Sequence, residues 1–273
     1  MAAGPAVSVM TYNLWKTNGA PTAWDLRRPA LLRQLQALDP DVLVVQELHP
    51  LIAECVLQAL PFHACVGDDF AGWANEGNIF YRKSMFSEVA HGHEDIGQEE
   101  ELRRLFWVRL AVSPDRTRTV LFSTAHFTWQ GHAKEWESDI NLRKVQARRT
   151  VAALDSIQLP NEPCIFGGDL NESYWPKALL SRAGFVDCFT SLQLPCRPTH
   201  PCRSSVAHED NNADSCLDWL FARPAPDGSG PVRTLLASVI RDMCALSSDD
   251  LEEKHQLAVQ PSDHAPVMAV YRL

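Results

Sequence analysis

The chain has 273 residues, 45% of them apolar and 22% charged, the balance of a folded globular protein with ample core. Lys plus Arg is 25 and Asp plus Glu is 34, a net charge of −9. That balance excludes disorder, collagen and coiled coil. It also argues against tight, general DNA binding, which gains its affinity from phosphate neutralisation and counterion release. No window approaches the roughly 18 consecutive apolar residues of a membrane span. The first ten residues carry neither a basic region nor a long apolar stretch, so no secretory signal is expected.

The first apolar run, Val7 to Leu14, is a strand candidate that ends in Asn13. Asp25 to Leu38 has apolar residues at 31, 32, 35 and 38, the helical period. Asp39-Pro40 stops it. Asp41 to Val45 is a nearly continuous apolar strand opening into Gln46-Glu47. Further strands are expected at Asn78–Arg82, Leu105–Val112, Thr119–Phe127, Cys164–Phe166, Leu217–Ala222 and Pro266–Tyr271, and helices at Asp139–Asp155 and Pro176–Ala183. The polar turn Ser113-Pro114-Asp115 suits an antiparallel hairpin, which favours mixed sheets over a parallel barrel. Pro195 to Asn212 and Asp227 to Gly230 read as loops. Nothing splits the chain, and one domain over residues 1–273 is expected.

The eight cysteines, at 55, 65, 164, 188, 196, 202, 216 and 244, show no zinc spacing. They are read as reduced thiols of a cytoplasmic or nuclear protein. The only glycosylation sequon, Asn171-Glu172-Ser173, falls among the residues proposed below for the site.

Polar residues that end apolar strands recur along the whole chain: Asn13, Glu47, His126, Asp169 with Asn171, Asp218, and Asp263-His264. A charge at the end of an apolar strand is costly unless it is paired or bound to metal. Any one of these could be a satisfied turn residue; six together point to one site.

The segments Thr11-Tyr-Asn-Leu-Trp, Val45-Gln-Glu-Leu, Ser123-Thr-Ala-His-Phe, Gly167-Gly-Asp-Leu-Asn, Leu217-Asp-Trp-Leu-Phe and Ser262-Asp-His-Ala-Pro occur in that order. Together they resemble the endonuclease/exonuclease/phosphatase superfamily of metal-dependent phosphoesterases. The resemblance implies an α/β four-layer sandwich of the deoxyribonuclease I type, two mixed β-sheets packed together with helices outside. It implies Mg²⁺ or Mn²⁺ held by hard oxygen at Glu47, with Asn13 and Asp263 in support. Asp169 is then the base that orients or deprotonates water, and Asn171 holds that water or a phosphate oxygen. His264 paired with Asp218 stabilises charge in the transition state, and His126 serves a phosphate oxygen or the leaving group.

Two departures from the family pattern stand out. Cys216-Leu217 occupies the place where many members have a basic residue, and in Glu76-Gly-Asn-Ile-Phe-Tyr-Arg either Glu76 or Asn78 could face substrate.

The stretch from Gly131 to Trp136, followed by Arg143 to Gln146, resembles the same region of the 5′-end tyrosyl-DNA phosphodiesterases. Asn78, Trp129, Arg143 and Trp175 are the candidate substrate contacts, the tryptophans as stacking surfaces and Arg143 as a phosphate guide. His200 is a further residue that could contact substrate or close a turn. The leading expectation is a monomeric phosphodiesterase acting on nucleic-acid ends or nucleotides. A phosphomonoesterase or lipid-headgroup phosphodiesterase on the same scaffold is the second reading, and a non-catalytic binding module the third.

Overall fold

The computed structural model describes residues 4–17, 24–112, 117–202, 215–241 and 260–273. In chain order the elements are β1 (Ala6–Asn13), α1 (Trp24–Leu38), β2 (Val42–Gln46), α2 (Pro50–Ala59), β3 (His63–Cys65), α3 (Gly72–Asn75) and β4 (Gly77–Arg82). There follow β5 (Phe86–Glu94), β6 (Leu105–Val112), β7 (Thr119–His126), α4 (Ala133–Ser138), α5 (Leu142–Ile157), β8 (Cys164–Asp169) and α6 (Trp175–Arg182). The last are β9 (Val186–Asp187), α7 (Cys188–Ser191), β10 (Asp218–Arg223), β11 (Arg233–Val239) and β12 (Val267–Arg272).

The strands form two six-stranded mixed sheets, in the orders β11-β12-β1-β2-β4-β3 and β5-β6-β7-β8-β10-β9. Each sheet holds one parallel pair, β1 with β2 and β7 with β8; the other pairings are antiparallel. The predicted β6–β7 hairpin is antiparallel as expected, although its turn at 113–115 lies outside the described residues.

Why the central strands are apolar throughout follows from what covers them. Val9, Val44, Ile79, Phe122, Ile165 and Leu220 point between the sheets into a shared core. Their neighbours Met10, Tyr12, Leu43, Val45 and Phe80 point outward beneath Leu31 and Leu35 of α1 and Ile52 and Val56 of α2. On the opposite side Leu121, Phe166 and Phe221 pack under Ala147 and Leu154 of α5 and Leu180 of α6. Strands buried on both faces lose the polar alternation of a half-wet sheet. The result is the predicted four layers. No helix among the described residues is long and apolar enough to cross a membrane.

The double glycine of β8 is a packing requirement. A Cβ at Gly167 would come within 2.9 Å of both Leu220 and Val44, across the sheet and between the sheets, and one at Gly168 would meet the Ala125 carbonyl oxygen at 2.2 Å. Only glycine lets β8 sit this close to its neighbours.

Some elements escape a local reading. The edge strands β5 and β11 are mostly polar or wet and each carries a register irregularity, between Glu88 and Ala90 and between Thr234 and Leu236. The helix α2 lies outside the predicted elements although Ile52, Cys55, Val56 and Ala59 follow the helical period. The predicted helix at 139–155 begins later: Asp139 closes α4 in a left-handed conformation, and Asn141 caps α5 by accepting from Lys144 N.

The reading of every cysteine as a reduced thiol is corrected at one pair. Cys196 and Cys216 form a disulfide, because a bridge between His200 and Ser215 brings the two stretches side by side. Cys55, Cys65, Cys164 and Cys188 are free, while Cys244 and residues 203–212 of the predicted loop lie outside the described residues.

Candidate active site

Two parallel strand pairs aim their C-terminal ends at the same rim. Asn13 ends β1 beside Gln46 of β2, and Glu47 follows in a left-handed backbone conformation at φ 53°. Across the sandwich, His126 ends β7 beside Asp169 at the end of β8. The antiparallel β10 begins with Asp218 in register with that same Asp169. Asp263 and His264 come just before β12, where the Ser262 hydroxyl donates to Asn13 O (2.7 Å) and accepts from His264 N (3.2 Å).

Asp169 is the hub. Its Oδ2 accepts from Asn13 Nδ2 at 3.0 Å and lies 3.4 Å from His126 Nε2 and 3.7 Å from His264 Nε2. Its Oδ1 accepts from Asn171 N at 2.9 Å. Asn13 Nδ2 also donates to Glu47 Oε1 at 3.1 Å, so a single amide joins two carboxylates from different sheets. His264 Nδ1 is 2.8 Å from Asp218 Oδ2. Asn171 Nδ2 lies 3.1 Å from His126 Nε2 and donates to Phe127 O at 2.8 Å. All eight sequence-predicted core residues therefore meet at one rim.

The electrostatics divide the two histidines. Burial works against a charged His264, but the Asp218 and Asp169 carboxylates outweigh it and raise the imidazole to about 10. Burial drives His126 well below the usual imidazole range, and the Arg103 and His264 cations push it the same way. A neutral His126 accepts from Asn171 at Nε2, while its Nδ1, buried and without a hydrogen-bond partner among the described residues, faces Glu47 Oε1 at 3.9 Å. Burial, then the Asp218 charge, raises Asp169 to about 7 against the opposing pull of His264 and Asn13. Asp263 is also raised, by burial first and with Glu47 adding to it.

This set fits a hard divalent cation. Glu47, Asp169, Asp218 and Asp263 crowd one rim against one charged imidazole, and the Glu47 oxygens are met by neutral donors, the Asn13 amide and Lys16 N (3.2 Å). Oxygen donors with surplus negative charge suit Mg²⁺ or Mn²⁺.

The four candidate substrate contacts fare differently. Asn78 is 5% exposed and turned inward: Nδ2 donates to Val66 O (2.9 Å) and Trp73 O (2.7 Å), and Oδ1 accepts from Val66 N (3.1 Å). Its amide is consumed in pinning β4 to the segments around it, so it does not face the rim. Arg143, expected as a phosphate guide, is 2% exposed and clamped between Glu135 (2.9 Å) and Glu172 (2.9 Å), with its charge already neutralised. Trp129 and Trp175 are exposed, Trp129 against the His132 ring and Trp175 beneath Lys144 Nζ at 3.7 Å.

Two supporting residues, Thr199 and Arg27, were not singled out by the sequence, while His200 and Glu76 were. The Thr199 hydroxyl accepts from Leu217 N (2.9 Å) and Asp218 N (3.1 Å), which holds the start of β10. The His200 ring lies 4.6 Å from that of His264, and its Nε2 is 3.9 Å from Asp263 Oδ2. Glu76 pairs with Lys16 (2.7 Å) and Arg103 (3.3 Å) instead of standing open. Buried Arg27 donates to Leu14 O (2.9 Å), Pro261 O (2.7 Å) and Trp15 O, tying the loops after β1 and before Asp263 together. Arg27 sits inside a regular helical pattern, so only the long-range backbone contacts betray it.

The fold and site together define a phosphoester-hydrolase scaffold. The endonuclease/exonuclease/phosphatase family profile matches residues 10–264, and the chain belongs to that family. Solved structures share the architecture across nearly their full length. TDP2 of D. rerio, solved with a single-strand DNA product, has 18% identity and a TM-score of 0.75 over 98% of this chain and 99% of that one. A mannosyl-6-phosphatase of Bacteroides thetaiotaomicron has 21% identity and a TM-score of 0.76 over 98% and 100%. A truncated Caenorhabditis elegans TDP2 has 17% identity and a TM-score of 0.71 over 98% of both chains. A search of curated protein sequences found no match.

Proposed function

We infer that the protein is a Mg²⁺- or Mn²⁺-dependent phosphodiesterase that uses water to cleave phosphoester bonds in nucleic-acid ends or nucleotides. The observation that carries this reading is the position of Asp169, held between the Asn13–Glu47 pair on one side and the His264–Asp218 pair on the other.

A divalent ion held by Glu47, with Asn13 and Asp263, supplies neutralisation of phosphate charge when bound. The chain's own groups do the rest. Asp169, raised to about 7, is suited to take a proton from water near neutral pH. Asn171, its Nδ2 spent on Phe127 O and His126 Nε2, offers Oδ1 to orient that water. The protonated His264 presents Nε2 to the charge that develops at phosphorus, and Asp218 fixes the ring through Nδ1. The neutral His126 offers its Nδ1, which has no hydrogen-bond partner among the described residues.

The test is a panel of phosphodiesters and phosphomonoesters assayed with Mg²⁺, Mn²⁺ or EDTA. Metal-dependent turnover of nucleotide diesters supports the reading, and Asp169→Asn and His264→Ala should each lower kcat by about 10²–10⁴-fold. The two losses should combine less than additively, because both act in one transition state. Full activity after exhaustive chelation contradicts it. A second reading, phosphomonoester hydrolysis, draws support from the similar scaffold of the mannosyl-6-phosphatase. Turnover of monoesters alone would favour it.

A further inference from the structure

Five aromatic side chains among the described residues are exposed: Phe62, Trp129, Trp136, Tyr174 and Trp175. Four of the five come from two short segments that flank the active site, 129–136 after His126 and 174–175 after Asn171. Trp136 is 82% exposed and sits on α4, a helix that buries none of its residues. Its indole is nonetheless tethered, because Nε1 donates to Gly131 O at 3.1 Å. Clustered exposed apolar surface beside a cleft marks a ligand surface more often than chance packing does.

These segments are braced to the site. Glu172, next to Asn171, accepts from Asn141 Nδ2 (2.9 Å) and Arg143 Nε (2.9 Å) through Oε2, and from Trp175 N (3.1 Å) through Oε1. Arg143 reaches from there to Glu135 on α4 at 2.9 Å. Trp136, Ile140, Asn141 and Lys144 line a concavity of about 410 Å³, and Lys144 Nζ lies 3.7 Å from the centroid of the Trp175 ring. Tyr174 meets Trp175 edge to face at 5.0 Å.

We propose that this concavity and the Trp175 ring beside it, joined through Lys144, form a base-binding subsite, in which Trp136 and Trp175 offer stacking faces to an unpaired nucleobase of the substrate and Lys144 meets its phosphate. Trp175 lies four positions after Asn171, a span of at most about 14 Å. The base is therefore that of a nucleotide one or two steps from the scissile phosphate. The occupant is single-stranded, since a paired and stacked base has no free face to offer. Aromatic faces with one adjacent cation suit a base and a phosphate together. The subsite rests on the phosphodiesterase reading above and adds the substrate class to it.

The experiment compares two p-nitrophenyl phosphodiesters, one carrying thymidine and one carrying only a methyl group, with Mg²⁺ present. Trp136→Ala and Trp175→Ala should each lower kcat/KM for the thymidine ester about 5- to 150-fold, chiefly through KM. The methyl ester should change less than about twofold, and Trp175→Phe should restore most of the lost activity, since a phenyl face still stacks. Equal losses on both esters, or none on either, would overturn the subsite. If the unaltered protein turns over neither ester, the phosphodiesterase reading fails instead. The subsite is then read by indole quenching on titration with single-stranded oligothymidylate. Quenching that is lost in Trp136→Ala and Trp175→Ala upholds it; absence of quenching overturns it.

Discussion

Asp218 Oδ2 lies 2.8 Å from His264 Nδ1 in full burial, while its other oxygen has no hydrogen-bond partner among the described residues. This carboxylate is placed for the imidazole and not for packing. Asp218→Asn keeps the shape but removes the charge that holds His264 protonated and fixes its orientation. Turnover should fall by about 10²–10⁴-fold. The imidazole can release its proton, so no buried cation is stranded, and Tm should move by only a few degrees. A thermal melt beside a kcat measurement checks both halves; a collapse of Tm with proportionate loss of activity would make the pair a structural one.

Among the described residues, Glu47 is met at hydrogen-bond distance by neutral donors, Asn13 Nδ2 and Lys16 N. Glu47→Gln preserves an oxygen and removes a formal charge. The concentration of Mg²⁺ needed for half-maximal activity should rise by about tenfold or more, with the melting curve in EDTA unchanged. Equal Mg²⁺ titrations for the two proteins would take Glu47 off the ion.

Asn78 is predicted to matter for stability alone. Asn78→Ala removes the donor to the buried carbonyls of Val66 and Trp73, while Val66 N keeps its bond to Ile79 O at 3.3 Å. A loss of about 2–4 kcal/mol in urea unfolding is expected from groups that each cost about 1–3 kcal/mol unpaired. The kcat of the folded fraction should be unchanged. A kcat loss without destabilisation would return Asn78 to the substrate side.

His63 supplies a pH test far from the rim. Its Nε2 is 2.7 Å from Pro40 O, and burial, with Arg82 adding to it, lowers the imidazole below its ordinary 6.5 despite that hydrogen bond. The unfolded chain therefore binds a proton at a higher pH than the folded one. The contribution is fully present above about 6.5 and declines as pH falls through the unfolded and then the folded value. His63→Gln, which keeps a donor for Pro40 O, should flatten the fall in urea-unfolding free energy between pH 7 and 5. Identical slopes for the two proteins would refute it.

Along the chain, the sandwich is written plainly wherever both faces of a strand are covered. Val7 to Leu14 and Asp41 to Val45 read as strands because one set of side chains enters the inter-sheet core and the alternate set meets α1 and α2. Polar residues at the ends of such strands stand out for the same energetic reason, which is how Asn13, Glu47, His126 and Asp169 can be picked from sequence before their distances are known. The edge strands β5 and β11 are wet and irregular, so they carry no comparable pattern.

What only the tertiary structure decides is who partners whom. Asn13 reaches Asp169 across 156 residues of chain and Asp218 reaches His264 across 46, and no local period encodes either distance. The same holds for residues whose chemistry is ambiguous in isolation. An arginine and an asparagine near a phosphate motif are equally good ligands or braces, and only the fold shows Arg143 engaged by Glu135 and Glu172 and Asn78 by the Val66 and Trp73 backbone. Side-chain type sets what a group can bind; the fold sets whether that capacity is spent inside the protein or left for a substrate.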